Sequence, residues 1–319
     1  MRLFAVKTSK KTIDFRRIYE SRHDWFWKNG ACGGFSFIES DTIKLQWVVR
    51  QSNLLEHRSL SEFLGIRMKS DEPGLIYSKE EFDAATLLDK FPVDVIVDFS
   101  SEQGLDYYGQ AAASRGVRII SAVSQYPQVQ LDKLHELAKN TCVMHSPNIT
   151  LGVNFQIIAA KILKNIAPYT DIEIIETHFK NKPEISGTAK VIARELDVPE
   201  EQIKSLRAGG IIGTHEILFG FPYQTVRLKH ESISREAFGS GILFAIENIK
   251  NKSKGFYSME DLLLPYFKLQ ESEAEIVAEH KVPWWQFWKK WVLFEYAHHT
   301  FATNLFKIVT YENHPYKTL

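Results

Sequence analysis

From about residue 75 the chain alternates short apolar, β-branched runs with longer stretches whose apolar residues recur at helical spacing. Val93-Asp-Val-Ile-Val-Asp98 predicts a buried strand, and Glu102 to Arg115 a helix with Gly116 placed to end it. Val117-Arg-Ile-Ile-Ser-Ala-Val123 predicts the next strand, Leu131 to Lys139 the next helix, and Cys142-Val-Met-His145 another short strand. Strands alternating with helices imply a parallel sheet covered by helices on its faces. Such a sheet takes its ligand beyond the carboxyl ends of its strands. Asp98-Phe99-Ser100-Ser101, Ser121-Ala122-Val123-Ser124 and Ser146-Pro147-Asn148 all fall at those ends.

The pattern changes after Asn154. A helix over 155–166 leads to the strand-like Asp171-Ile-Glu-Ile-Ile-Glu176, then a helix over 189–196, then β-branched runs at 211–219 and 224–230. Runs of strands covered by helices predict an α+β domain inserted into the first, and the apolar spacing of Glu236 to Lys250 suits a helix returning to it. At the other end of the chain, Arg2-Leu-Phe-Ala-Val6 and Ile43-Lys-Leu-Gln-Trp-Val-Val49 read as strands.

The stretch Glu176-Thr-His178-Phe179-Lys180-Asn-Lys182-Pro-Glu-Ile-Ser186-Gly187-Thr188-Ala189 carries the candidate chemistry. Ser186-Gly187-Thr188 falls at a predicted helix N-terminus, where free backbone N–H groups attract carboxylate or phosphate. Lys182 sits four residues after His178, so its long ammonium can fold back over the same anion while the imidazole faces the reacting atom. A solvated lysine, a structural histidine and an ordinary helix cap explain each residue taken singly. Together, in this order, they read as an anion-holding, proton-donating site.

Lys plus Arg and Asp plus Glu number 39 each, so no net charge favours nucleic acid or an anionic membrane. The two cysteines, Cys32 and Cys142, lack metal-ligand spacing and read as reduced thiols of a cytoplasmic protein, and no metal site is expected. No opening signal pattern and no run of about 20 apolar residues occurs, so neither secretion nor a membrane span is expected.

The signature stretch resembles that of the 4-hydroxy-tetrahydrodipicolinate reductase (dihydrodipicolinate reductase) family, roughly E-x-H-H-x-x-K-x-D-A-P-S-G-T-A. The likeness extends to Val93–Ser101, Ser146–Asn154, Arg207–Glu216 and His230–Phe238, and spans roughly residues 90 to 267. It implies a Rossmann-like nucleotide-binding domain, residues 1–150 and 236–267, with an inserted α+β substrate-binding and oligomerisation domain, 151–235. It implies reduction of 4-hydroxy-tetrahydrodipicolinate, or a similar cyclic imine or dicarboxylate, by NADPH or NADH in a homotetramer or homodimer. By position, His178 and Lys182 carry the catalytic roles, His178 as proton donor or ring-orienting group. Ser186, Gly187, Thr188 and Arg235 would meet the substrate, and Asp98, Phe99, Ser100, Ser121, Ser124 and Asn148 would line the cofactor side.

Several residues depart from the family pattern. The run after the opening strand, Lys7-Thr-Ser-Lys-Lys-Thr12, holds no glycine where the family has its Gly-rich phosphate turn. The nearest substitute is the cluster Gly30, Gly33 and Gly34, which reads either as a pyrophosphate turn or as an ordinary tight turn. The family's G-T-T-G turn aligns with Ser121-Ala-Val-Ser124, and its second histidine with Phe179. Beyond residue 267 an extension, 268–319, carries Val282-Pro-Trp-Trp-Gln-Phe-Trp-Lys-Lys-Trp291, which suits packing on the chain's own body, a partner groove or a membrane interface. Two further readings therefore stand beside the reductase: an accessory protein that keeps a dicarboxylate pocket, and an imine reductase with a new substrate walled by Phe179.

Overall fold

The computed structural model describes residues 2–8, 43–53, 56–64, 74–234 and 236–267. Gly30, Gly33, Gly34, Arg235 and the aromatic extension lie outside them. Among the described residues, two sheets organise the chain, and no helix is long and apolar enough to cross a membrane.

The first sheet has seven strands, in the order β11-β6-β5-β4-β1-β2-β3. They are β1 (Arg2–Thr8), β2 (Ile43–Arg50), β3 (Leu75–Ser78), β4 (Val95–Asp98), β5 (Arg118–Ser121), β6 (Cys142–His145) and β11 (Gly255–Tyr257). β1 lies inside the sheet, between β4 and β2, and Leu3, Phe4, Ala5 and Val6 are buried on both its faces. Leu3 and Ala5 pack among residues of α2 (Ala84–Lys90), α3 (Gly104–Ser114) and α4 (Gln128–Leu137), which cover one side. Phe4 and Val6 pack toward α7 (Glu236–Ile249) and α8 (Met259–Leu263), which cover the other together with the short α1 (Leu60–Leu64). This two-sided burial is why the strands read as continuous apolar runs.

β1 runs the opposite way to its neighbours. It pairs antiparallel with β2 and with β4, Leu3 standing opposite Asp98 and Arg2 opposite Arg50, while the remaining pairs in the sheet are parallel. The other six strands therefore share one carboxyl edge, and β1 arrives there with its first residues and leaves from the opposite edge. Thr8 N, at that far end, donates to Asp94 Oδ2 at 2.7 Å.

The second sheet, in the order β10-β9-β7-β8, comprises β7 (Asp171–His178), β8 (Ile203–Arg207), β9 (Thr214–Gly220) and β10 (Thr225–Glu231). One face is covered by α5 (Leu151–Ile166) and α6 (Gly187–Glu195): Val153, Ile157 and Ala160 of α5 and Ala189, Ile192 and Ala193 of α6 enclose Ile174, Ile203, Ile217 and Phe219. α7 then returns to the first sheet, where Gly241 lies so close to the chain that a Cβ there would stand 1.8 Å from Ile149 O. β11 adds the edge strand beside β6.

Element boundaries differ from the sequence reading where capping decides them. α5 starts at Leu151, not residue 155, because Thr150 takes the extended N-cap conformation. α6 starts at Gly187, because the Ser186 hydroxyl accepts from Ala189 N and caps the helix. β8 went unread: its exposed Lys204, Ser205 and Leu206 hide the alternation. β11 is only three residues long.

Candidate functional site

The register of the second sheet gathers a polar cluster at the carboxyl end of β7. Side chains alternate between faces along a strand, so Glu176 and His178 share the covered face with Ile174. Ser205 stands opposite Glu176 on one side and His215 on the other, and Arg207 stands opposite His178. A one-residue slip of β7 would turn all its polar groups outward.

Glu176 is fully buried, an expensive place for a carboxylate unless its lone pairs are used. It accepts from Ser205 Oγ at 2.6 Å, from Arg207 Nη2 at 2.7 Å and from His178 Nδ1. Burial alone would raise its pKa, but the hydrogen bonds from Arg207, Ser205 and His178 outweigh it and hold the group at about 2. Glu176 is thus ionised and acceptor-only, so His178 Nδ1 carries a proton and its Nε2 is left facing Gly213, where an added Cβ would lie 3.0 Å away.

His215 lies edge-on to His178, ring centroids 5.3 Å apart, and its Nε2 is 2.9 Å from Ser186 Oγ. Burial, reinforced by the neighbouring His178 and His230, pushes its pKa down to about 3, so it stays neutral. Ser186 accordingly holds both the start of α6 and the His215 ring.

The loop between β7 and α6 carries Lys182, half-buried, and is fastened by Arg207, whose Nε donates to Lys182 O at 3.1 Å and Nη2 to Glu184 O at 2.8 Å. At the start of α6, Gly187 is exposed, and a Cβ there would meet nothing within 4 Å. Thr188 Oγ1 accepts from Asn148 Nδ2 at 2.9 Å, which ties this helix end to the loop after β6. His178, Lys182, Ser186, Gly187 and Thr188 therefore occupy one connected region, as their sequence order predicted. Glu176, Ser205, Arg207 and His215 were missed, although Glu176 and His178 two apart on a strand already signalled a shared face.

On the first sheet, Asp98, Ser121 and Asn148 mark the carboxyl edge. The buried Asp98 accepts from Ser100 N at 2.7 Å and from Tyr108 OH at 3.0 Å, and burial raises its pKa. The Ser121 hydroxyl is 3.0 Å from Tyr126 OH and is also buried. Both side chains serve the turns from within, and Phe99 packs edge-on to Phe4. Ser124 is exposed and Ser100 and Asn148 are half-buried, so these three reach the surface of the edge. No cluster of metal-ligating side chains occurs among the described residues.

A family model described as "Dihydrodipicolinate reductase, C-terminus" matches residues 149–263, and one described as "Dihydrodipicolinate reductase, N-terminus" matches 37–149. The second match begins after β1, so the reversed strand lies outside it. Among curated proteins, a 4-hydroxy-tetrahydrodipicolinate reductase of Clostridium novyi is 31% identical over 195 residues, covering 53% of this chain and 76% of that one. The protein of the same name from Thermosipho africanus is 32% identical over 196 residues, covering 61% and 88%. A solved dipicolinate-bound dihydrodipicolinate reductase from Paenisporosarcina sp. TG-14 shares the fold, with a TM-score of 0.57 and 22% identity over 73% of this chain and 94% of that one.

Proposed function

Because the chain belongs to the dihydrodipicolinate reductase family, we propose that it reduces 4-hydroxy-tetrahydrodipicolinate, or a closely similar cyclic imine bearing carboxylates, with NADH or NADPH. The observation that carries this reading is the juxtaposition of His178, oriented by Glu176, with the open start of α6 and the Lys182 loop. Residues 1–150 and 236–267 would form the nucleotide-binding part and 151–235 the substrate part, in a cytoplasmic protein.

A dinucleotide would lie at the carboxyl edge of the first sheet. Ser100, Ser124 and Asn148, polar and accessible at that edge, suit the nicotinamide half, with Asn148 bonded to Thr188 at the α6 start. β1 leaves from the opposite edge, and the chain that follows it, with Gly30, Gly33 and Gly34, lies outside the described residues. A bound reduced nicotinamide would supply the hydride.

The chain's own residues bind and protonate. One substrate carboxylate sits at the N–H groups of Gly187 and Thr188, where the helix dipole favours an anion, with the Lys182 ammonium completing the pair. The hydroxyl of Thr188 is already positioned by Asn148. His178, its Nδ1–H fixed on Glu176, donates from Nε2 in its doubly protonated form the proton that the reduced ring takes up, and is left as the neutral Nδ1–H tautomer. Phe179, 42% exposed, adds an apolar wall to the loop.

A second reading is favoured by the reversed β1 and by serines in place of turn glycines: an accessory protein that binds the dicarboxylate and catalyses nothing. Self-association through the open face of the second sheet, where Leu206 is exposed, is part of the proposal for either reading. Calorimetric titration with pyridine-2,6-dicarboxylate, followed by a fluorescence titration with NADH and NADPH, tests it. The reductase binds both classes; the accessory protein binds the dicarboxylate alone.

A further inference from the structure

We propose that Glu176 and Arg207 are the positioning residues of this site: Glu176 fixes the ring orientation and proton placement of His178, and Arg207 fastens the Lys182 loop to that same carboxylate. The inference rests on the reductase reading for its catalytic consequence, but its geometry stands without it.

The pair does more than hold two strands together. Three donors converge on Glu176, from β8 through Ser205 and Arg207 and from its own strand through His178, so the carboxylate has no freedom to turn. An acceptor-only partner keeps a proton on Nδ1 in both charge states of the ring, so Nε2 is the nitrogen left to take up and give the reacting proton. The neutral His215 of β9 lies edge-on to the ring and is paired through Nε2 with Ser186 Oγ, so the acceptor that Nδ1 uses is Glu176.

Arg207 spends its other N–H groups on carbonyls: Leu206 O at 2.8 Å, Lys182 O at 3.1 Å and Glu184 O at 2.8 Å. Two of these are in the loop that presents Lys182. One guanidinium therefore indexes both the proton donor, through Glu176, and the anion-holding lysine, through its backbone. A lysine at 207 would keep the charge but lacks the planar fork that makes these bonds at once. The two substitutions should thus act differently. Glu176→Gln keeps one amide oxygen for Ser205 and Arg207, which share Oε1, and loses the acceptor at His178, so it disturbs chiefly the ring, whereas losing the fork disturbs the ring and the loop together.

The test uses the full-length protein with Glu176→Gln, Arg207→Lys and His178→Ala. Nitrogen-15 NMR of labelled histidines should show wild-type His178 protonated at Nδ1, with a strongly downfield Nδ1–H signal that is absent in His178→Ala. Glu176→Gln should lower kcat roughly 10- to 100-fold, change the His178 ring signals, and leave pyridine-2,6-dicarboxylate affinity within about threefold by calorimetry. Arg207→Lys should lose about tenfold in that affinity as well as turnover. A wild-type His178 protonated at Nε2 alone overturns the proposal even if Glu176→Gln fails to fold. So does an Arg207→Lys protein that binds the dicarboxylate like wild type. Absent turnover in the wild type would instead overturn the reductase reading, leaving the NMR and calorimetric arms to decide this one.

Discussion

Asn148 and Thr188 are forty residues apart in sequence, yet Asn148 Nδ2 donates to Thr188 Oγ1 at 2.9 Å. The same Asn148 side chain accepts from the backbone N and hydroxyl of Thr150, which caps α5. A single amide thereby couples the carboxyl edge of the first sheet to the helix end proposed to hold a carboxylate.

Replacing Asn148 with Ala should therefore cost both stability and binding. Two acceptor bonds and one donor bond disappear, and Thr150 N loses its partner, so about 1–3 kcal/mol is expected. Urea unfolding should show a lower midpoint at unchanged m-value, and calorimetry a weaker dicarboxylate complex. An unchanged affinity would detach the β6 loop from the site.

Lys182→Ala should weaken pyridine-2,6-dicarboxylate binding by about tenfold or more, since a charge-assisted hydrogen bond contributes on the order of 1.5–3 kcal/mol. Lys180→Ala, at an exposed position two residues earlier, should leave it nearly unchanged. Equal effects would mean that the loop supplies only diffuse charge.

Two glycines should respond in opposite ways. Gly241→Ala drives a Cβ into Ile149 O and should destabilise the protein by at least about 2 kcal/mol in thermal unfolding. Gly187→Ala meets open space and should fold like wild type. Its methyl group would intrude on the anion position, so the reading expects weaker dicarboxylate binding there without loss of melting temperature.

Acid should destabilise this fold in two stages. His215 titrates near 6.5 when unfolded but at about 3 in the buried site, so the unfolded chain binds more protons in between. Its contribution is complete above pH 6.5 and falls as pH drops toward 3. Glu176, lowered from 4.5 to about 2, adds a further loss below pH 4.5. Each amounts to a few kcal/mol at most, on the order of 1.4 kcal/mol per pH unit. His215→Asn should flatten the stability curve between pH 6.5 and 4.5 while keeping the acid limb below it.

Much of this was legible in the chain because local signals and tertiary demand agree. Val95–Val97 and Cys142–Met144 are buried on both faces and so carry no polar interruption, and Ser186 caps α6 with the residue type that such a cap requires. The direction of β1 was not legible: Leu3 to Val6 are apolar in either orientation, and strand polarity is set by pairing partners far along the chain. Ser205 and Arg207 escaped for a related reason. Their role depends on the β7–β8 register, and nothing within Ile203–Arg207 announces it.

The central claim is that His178 donates a proton as a cyclic imine is reduced. Its most direct measurement is the rate of NADH or NADPH oxidation by the full-length protein given 4-hydroxy-tetrahydrodipicolinate, for wild type and His178→Ala. The account predicts substrate-dependent oxidation by wild type and a loss of roughly two to four orders of magnitude in the variant, with dicarboxylate binding retained. A wild-type protein that binds pyridine-2,6-dicarboxylate but oxidises neither nucleotide, or a His178→Ala protein as fast as wild type, would contradict it.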